Sequence, residues 1–431
     1  MDLTLIKSAV RSLGVKGLGA VAGLVSSVLI ARALGSSGAG TYYLALTCLT
    51  ALSVFGRAGT DVTALKGVAA HVSRGEEAIA RAIERWCLRR LLIVTSVAWV
   101  LLSLFAVLAA AKVFSDDAIV QPLLVIGLGL LPLAITSLFA EVLKARGRVA
   151  MGMAVQSLCI PLFVAIGIVA FGAVVDAMAA HHVAATYVAA ALTTAAISSV
   201  LVLWARRERW SDSPRDRLDL DEAHLADLRS SSNVYMMIGL QNLVLSMTDT
   251  LMLGVLSDAT AVGLYAVALR VTGIGALVLA AVNGVVAPRF AGLVAINDFD
   301  ALARIARAST RIMAVSAVVL IGTLYLLREP ILATFGQEFV AAEQAYAILC
   351  LGQLVVLGTG PVAYLLMMSG NQRFHRASLT AAAVSNIALN LLLIPSFGIV
   401  GAAIATAVSL GAKNLVTFIF VRLRMGFWML P

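Results

Sequence analysis

The 431 residues are 61% hydrophobic and only 13% charged, with a mean hydropathy of +0.97, which excludes an ordinary soluble globular domain. The formal charge of +9 invites a nucleic-acid surface, yet the basic residues sit in short loops between apolar runs, the pattern of a multi-spanning membrane protein. Four scattered cysteines, Cys48, Cys87, Cys159 and Cys350, make no CxxC pair, metal cluster or disulfide framework and read as small packing residues.

At about 20 apolar residues per crossing, the pattern predicts an all-α integral membrane protein of about twelve transmembrane helices. The expected spans are roughly 13–34, 39–60, 88–111, 118–141, 149–171, 183–204, 233–256, 262–287, 310–327, 344–368, 376–395 and 399–421. No cleavable leader is expected, because Met1-Asp2-Leu3-Thr4-Leu5-Ile6-Lys7 runs straight into the first helix. With the N-terminus inside, 26 of the 32 Lys and Arg residues fall in loops of one side, against Arg32, Lys112 and Arg328 on the other. That asymmetry puts both termini in the cytoplasm and supports an even span count.

Two cytoplasmic connections are longer than the rest. Thr60 to Leu88 reads as an amphipathic surface segment, and Arg206 to Arg229 is the most polar part of the chain. The latter divides the sequence into a six-helix lobe (1–206), a linker (207–229) and a second six-helix lobe (230–431). The halves echo one another at an offset of 223: Gly40 and Gly263, Lys66 and Arg289, Gly147 and Gly370. Six helices return the chain to its starting side, so the repeats are expected to be parallel, about an axis along the membrane normal.

Ionisable side chains at membrane depth are functional candidates by default. Asp249 near the end of the seventh span and Arg270 near the start of the eighth sit at similar depth. They form either a salt bridge joining neighbouring helices or a pair lining a transport path. Arg57 and Asp61 are four apart and share a helix face. Lys413 has no acidic neighbour in sequence, so it either snorkels or faces a wet cavity, and Arg32 sits where it can anchor a helix end. The set leans cationic (Arg32, Arg57, Arg270 and Lys413 against Asp61 and Asp249) and is accompanied by amides at Gln241, Asn242, Asn283, Gln353, Asn386, Asn390 and Asn414. Such a lining favours an anionic solute, and arginine in particular grips phosphate with two parallel bonds. Pro132, Pro161, Pro288, Pro361 and Pro395 offer kinks, since each removes a helix hydrogen bond.

Signals for catalysis are poor. Asp219-Leu220-Asp221-Glu222 stands in a charged linker and His181-His182 lacks a third ligand. No phosphate-binding glycine loop is present, so neither an enzyme nor a metal or cofactor site is expected.

Several strings together resemble the polysaccharide transporter (Wzx-type) branch of the MOP exporter superfamily. They are Ala31-Arg32-Ala33-Leu34-Gly35 with Gly38, Gly40 and Tyr42; Asp249-Thr250-Leu251-Met252-Leu253-Gly254; Val262-Gly263-Leu264-Tyr265; Asn386-Ile387-Ala388-Leu389-Asn390; and Ile394-Pro395-Ser396-Phe397-Gly398. The resemblance implies a V-shaped, MATE-like pair of pseudo-symmetric six-helix lobes in the bacterial inner membrane. It further implies a flippase carrying undecaprenyl-diphosphate-linked oligosaccharide from the cytoplasmic to the periplasmic leaflet, driven by an H+ or Na+ gradient or the membrane potential. On that reading Arg57, Arg270, Lys413 and Arg32 meet the diphosphate, Asp249 or Asp61 couples the ion, and polysaccharide polymerase or assembly proteins are partners. The lipid II flippases of the superfamily carry two further C-terminal helices, for which a chain ending at Pro431 leaves no room. A drug or cation exporter of the MATE branch and a non-transporting assembly scaffold are the competing readings.

Overall fold

The computed structural model describes residues 3–173, 177–207 and 220–430, and all the regular structure among them is helical. Part of the polar linker, with Arg209, Arg215, Arg217 and Asp219, lies outside the described residues. Two compact units divide the chain: Met1–Leu34 with Thr41–Met247, and Gly35–Gly40 with Thr248–Pro431.

The first unit holds most of α1 (Leu3–Arg57), then α2 (Thr60–Ser73) and α3 (Glu77–Phe105), which passes through a π-turn into α4 (Ala111–Val113). It continues with α5 (Val120–Gly127), α6 (Leu130–Ala145), α7 (Val149–Ala154), α8 (Ile160–Gly172), α9 (Ala180–Arg207) and the first part of α10 (Glu222–Leu256). The expected surface segment is only partly that. Ala64 and Val68 of α2 enter a core with Ile83, Cys87, Leu91, Leu138 and Val142, because the segment's apolar residues recur at helical spacing and find α3 and α6 beside them. Along α3 the residues Ile93, Val97, Val100, Leu101 and Leu104 form the opposite stripe, large and exposed. At 3.6-residue spacing on an apolar helix, that is a face made for lipid.

The second unit contains the end of α10, α11 (Ala259–Thr272), α12 (Gly275–Ala295), α13 (Phe299–Leu326) and α14 (Arg328–Ala333). A 3-10 turn, Gln337–Ala342, leads to α15 (Glu343–Gly358), α16 (Val362–Met368) and α17 (Gln372–Met425). Its core includes Phe290, Leu302, Ala306, Val362, Leu365 and Leu366. Pro361 follows the break between α15 and α16, where Gly360 has φ 75° and lies so close to Thr310 that a β-carbon would collide with it.

Among the described residues eight helices are long and apolar enough to cross a membrane, or up to ten if each of two bent helix pairs is one span. One of these pairs, Asp117–Gly127 with Leu130–Ala145, bends by 45°. The expected first and second spans form the single helix α1, and the eleventh and twelfth form α17. In each helix one glycine leaves helical geometry, Gly35 at φ 67° and Gly398 at φ 53°. Only glycine takes positive φ without strain, and because a single residue makes the turn the helix resumes at once. The expected repeat shows locally too. Gly147 (φ 82°) and Gly370 (φ 80°) end α6 and α16, with Arg148 N donating to Leu143 O and Asn371 N to Leu366 O. This is the same glycine-capped helix end in both halves.

Candidate functional site: a caged carboxylate and its surroundings

Asp249 lies on α10 seven residues before Leu256, about 10 Å from the helix end. Its side chain is buried. Asn386 Nδ2 and Asn390 Nδ2 donate to Oδ1 at 3.0 and 2.6 Å. Tyr265 Oη donates to Oδ2 at 2.9 Å, and so does Thr406 Oγ1. Each partner is placed by a simple local rule. Asn386 and Asn390 are one turn apart and share a face of the first arm of α17. Asn390 and Thr406 each stand eight residues from Gly398, so both lie about 12 Å from the kink and reach the same level. Tyr265, wholly buried, comes from α11. The expected pairing of Asp249 with Arg270 is not what forms. Four neutral donors from three other helical segments hold the carboxylate, because they surround it in space although Asn386 and Thr406 are 137 and 157 residues away. Arg270 Nη1 instead donates to Ala266 O of its own helix at 3.2 Å.

An ionised carboxylate accepting four bonds is well stabilised without a counter-charge. The cage is made of groups that can reverse roles: the two hydroxyls accept as well as donate, and an amide turned over presents oxygen. Asn390 Oδ1 is buried with no hydrogen-bond partner among the described residues. The site therefore has oxygen ligands in hand for a proton or a hard monovalent cation.

Nearby in the same unit, Gly40 and Gly263 meet across a contact that has no room for a side chain. A β-carbon on Gly40 would collide with the carbonyl of Ala259, and one on Gly263 with the carbonyl of Ser36. The two clashes mirror each other at the 223-residue offset. Beside them Glu338 caps the restarted arm of α1: Oε1 accepts from Ser36 N at 2.9 Å and Oε2 from Ser36 Oγ at 2.7 Å. A carboxylate at a helix N-terminus gains from both the free N–H groups and the helix dipole.

In the first unit Arg57 Nη1 and Asp61 Oδ2 are 2.8 Å apart and part-buried, and Asp61 Oδ1 also accepts from Val62 N at 2.9 Å. Arg32 is exposed, three residues before the Gly35 kink. A further cluster was not legible from sequence, where Arg146 and Arg206 pass for solvated loop charges. The Arg146 side chain is 1% exposed, with Nη2 2.8 Å from both Glu77 and Glu84, the latter 2% exposed. Arg206 Nη2 meets the other oxygen of Glu84 at 2.6 Å. Burial opposes the charge on Arg146, but Glu84 and Glu77 more than offset it and hold the guanidinium above its ordinary pKa. The only hint in sequence is an acidic residue, Glu84, on the apolar side of an amphipathic stretch.

Lys413, on the second arm of α17, lines a cavity of about 500 Å³ between the two arms, with Ser378, Ser385 and Ser409 among its walls. No acceptor or carboxylate among the described residues bonds its ammonium. Among those residues no group of three His, Cys, Asp or Glu side chains is arranged to hold a metal.

Residues 5–294, about two thirds of the chain, match the model of a family described as polysaccharide biosynthesis protein, and residues 236–392 match the MatE model. The probable flippase AglR of Haloferax volcanii is 31% identical over 180 residues, 40% of this chain and 37% of the relative. The match thus spans little more than a third of that relative's length. An inward-facing multidrug resistance MATE family transporter of the MOP superfamily superposes with TM-score 0.74 at 13% identity, covering 97% of this chain and 98% of that one. The lipid II flippase MurJ in an inward closed conformation gives 0.68 at 13% identity, covering 95% and 86%. At such identities the structural likeness establishes a shared fold.

Proposed function

We propose a transport function on one premise: this chain belongs to the polysaccharide biosynthesis protein family. It is a multi-pass membrane protein with the fold of the MATE and lipid II flippase transporters. The reading best supported is a flippase that moves an undecaprenyl-diphosphate-linked oligosaccharide from the cytoplasmic to the periplasmic leaflet of a bacterial inner membrane by alternating access. The observation that carries it is the Asp249 cage. A carboxylate at membrane depth, held by four reversible neutral donors, suits a group that exchanges an H+ or Na+ during a cycle, and a static scaffold has no use for it. Asp61 serves as a second, weaker candidate because Arg57 already neutralises it. Arg57, Arg270, Lys413 and Arg32 contribute positive charge toward the diphosphate, and polysaccharide polymerase or assembly proteins act downstream.

The kinked helices support a count of twelve crossings. α1 has 55 residues and α17 has 54, or about 80 Å each, against a hydrocarbon core of about 30 Å. Counting each as two crossings brings ten spans to about twelve, with both termini cytoplasmic. The function is tested by depleting the protein and analysing lipid-linked sugars by mass spectrometry. A lipid-linked oligosaccharide that accumulates facing the cytoplasm is expected, and unchanged lipid-linked sugars would overturn the reading.

The MatE match favours a second reading, a multidrug or cation exporter. The cationic balance of the intramembrane residues argues against it. Overexpression that raises drug resistance without altering lipid-linked sugars would establish it.

A further inference from the structure

The lipid-facing stripe of α3 begins, at its N-terminal end, beside two arginines. Arg89 is exposed and stands four residues before Ile93, so the two share a helix face, and Arg90 stands seven before Val97. From Ile93 to Leu104 the stripe covers about 16 Å, one leaflet's share of a hydrocarbon core of about 30 Å. Arg89 and Arg90 are therefore at headgroup level, with exposed apolar side chains running from them into the bilayer. Arg90 is held in place there. Its Nη2 donates to Asn233 Oδ1 of α10 at 2.5 Å, and its guanidinium lies 5.5 Å from the ring centre of Trp86. Arg229, exposed and one turn before Asn233 on α10, is close enough to oppose the charge on Arg90. Among the described residues no carboxylate pairs with Arg89, Arg90 or Arg229, and Glu84, the acid nearest to them on α3, is occupied by Arg146 and Arg206. Two like charges thus stand near each other with no counter-charge from the protein, a costly arrangement unless an anion lies beside them.

We infer that Arg90 and Arg229, with Arg89 beside them, bind the phosphate of an anionic bilayer phospholipid whose acyl chains lie along the α3 stripe. The surroundings select the occupant. A small soluble anion gains nothing from the stripe, whereas a phospholipid brings its phosphate to the arginines and its chains to Ile93, Val97 and Val100 at once. Guanidinium groups take phosphate oxygens in parallel, charge-assisted bonds. The site stays at headgroup level and opens to the bilayer along its length, which suits a resident lipid. Bound there, the phosphate bridges α3 and α10 within the first unit and supplies the negative charge that the protein omits, whatever the transported solute.

The test is native mass spectrometry of the purified full chain in a non-ionic detergent, titrated with phosphatidylglycerol and, as the zwitterionic control, phosphatidylcholine. Phosphatidylglycerol is expected to bind more tightly. One arginine near a headgroup is worth about fivefold in affinity, so Arg229→Gln is expected to weaken phosphatidylglycerol binding by about that factor. Arg90→Gln combined with Arg229→Gln is expected to weaken it by about twentyfold or more. Arg229 is exposed, and its replacement spares the Arg90 bond to Asn233, so the test survives if Arg90→Gln fails to fold. Arg424→Gln removes an exposed charge from the end of α17 and is expected to leave binding unchanged. Undiminished binding in Arg229→Gln would overturn the proposal, and an equal loss in Arg424→Gln would reduce it to general surface attraction. Glycerol 3-phosphate competing as well as the whole lipid would also overturn it, because the stripe would then contribute nothing. Farnesyl diphosphate displacing phosphatidylglycerol at equal concentration would assign the arginines to an isoprenoid carrier and refute the resident lipid.

Discussion

Replacing Asp249 separates the electrostatic role of the cage from its packing role. In Asp249→Leu four donors lose their acceptor: the buried Tyr265 Oη and two amide nitrogens, and the half-buried Thr406 Oγ1. Each unsatisfied group costs about 1–3 kcal/mol, and even with some hydroxyls turning back to helix carbonyls the loss is several kcal/mol, a large fraction of a typical net stability. Asp249→Asn behaves otherwise. Its oxygen takes the Asn386 and Asn390 donors and its own NH2 points at Tyr265 and Thr406, whose hydroxyls accept. All four contacts persist as neutral bonds, each weaker by about 1 kcal/mol than one to a carboxylate. Fluorescence-detected size exclusion after heating measures both variants. Asp249→Asn is expected to remain folded but to accumulate cytoplasm-facing lipid-linked sugar when it replaces the wild type, and Asp249→Leu to be lost from the membrane. If Asp249→Leu survives heating as well as Asp249→Asn, the cage contributes no hydrogen-bond energy and the argument fails. If Asp249→Asn supports normal flipping, the carboxylate is not the coupling group.

Glu84→Gln leaves Arg146 buried with only Glu77 for compensation, and breaking such a pair typically costs about 3–5 kcal/mol. A marked drop in melting temperature, little changed by added salt, is expected, and a salt-erased effect would mean that the cluster is solvated. Gly40→Ala drives a β-carbon into the Ala259 carbonyl and is expected to lower thermal stability, while Gly17→Ala, with open space around it, leaves it level or slightly raised. Equal melting curves would refute the close approach. Glu338→Ala removes both bonds to Ser36, a loss of about 2–4 kcal/mol for two charge-assisted contacts at a helix start. Hydrogen exchange at residues 36–40 is the measurement, and unaltered protection there would contradict the cap.

Much of the fold is legible in the sequence because lipid demands about 20 apolar residues per crossing, and that requirement is local. The third and fifth spans, for example, lie within Glu77–Val113 and Val149–Gly172. What escapes is set by single residues or by distance. One left-handed glycine in α1 and one in α17 let two expected spans run on as one helix. In the site, the depth of Asp249 marks it as a candidate, while Asn386 and Asn390 are only two among seven intramembrane amides. Nothing in a linear string assigns those amides to a carboxylate 137 residues earlier, and Arg270, the partner that adjacent helices suggest, bonds Ala266 O instead. Arg146 is hidden for the converse reason: positive-inside counting treats every loop arginine alike, and Glu84 is 62 residues away.

Gly398 and Asp249 together turn α17 into a pair of tweezers. The glycine is the pivot, and the carboxylate from α10 is a spacer gripped by both blades at equal distance from it, through Asn390 and Thr406. Lys413 stands on one of those blades, seven residues beyond the Thr406 grip.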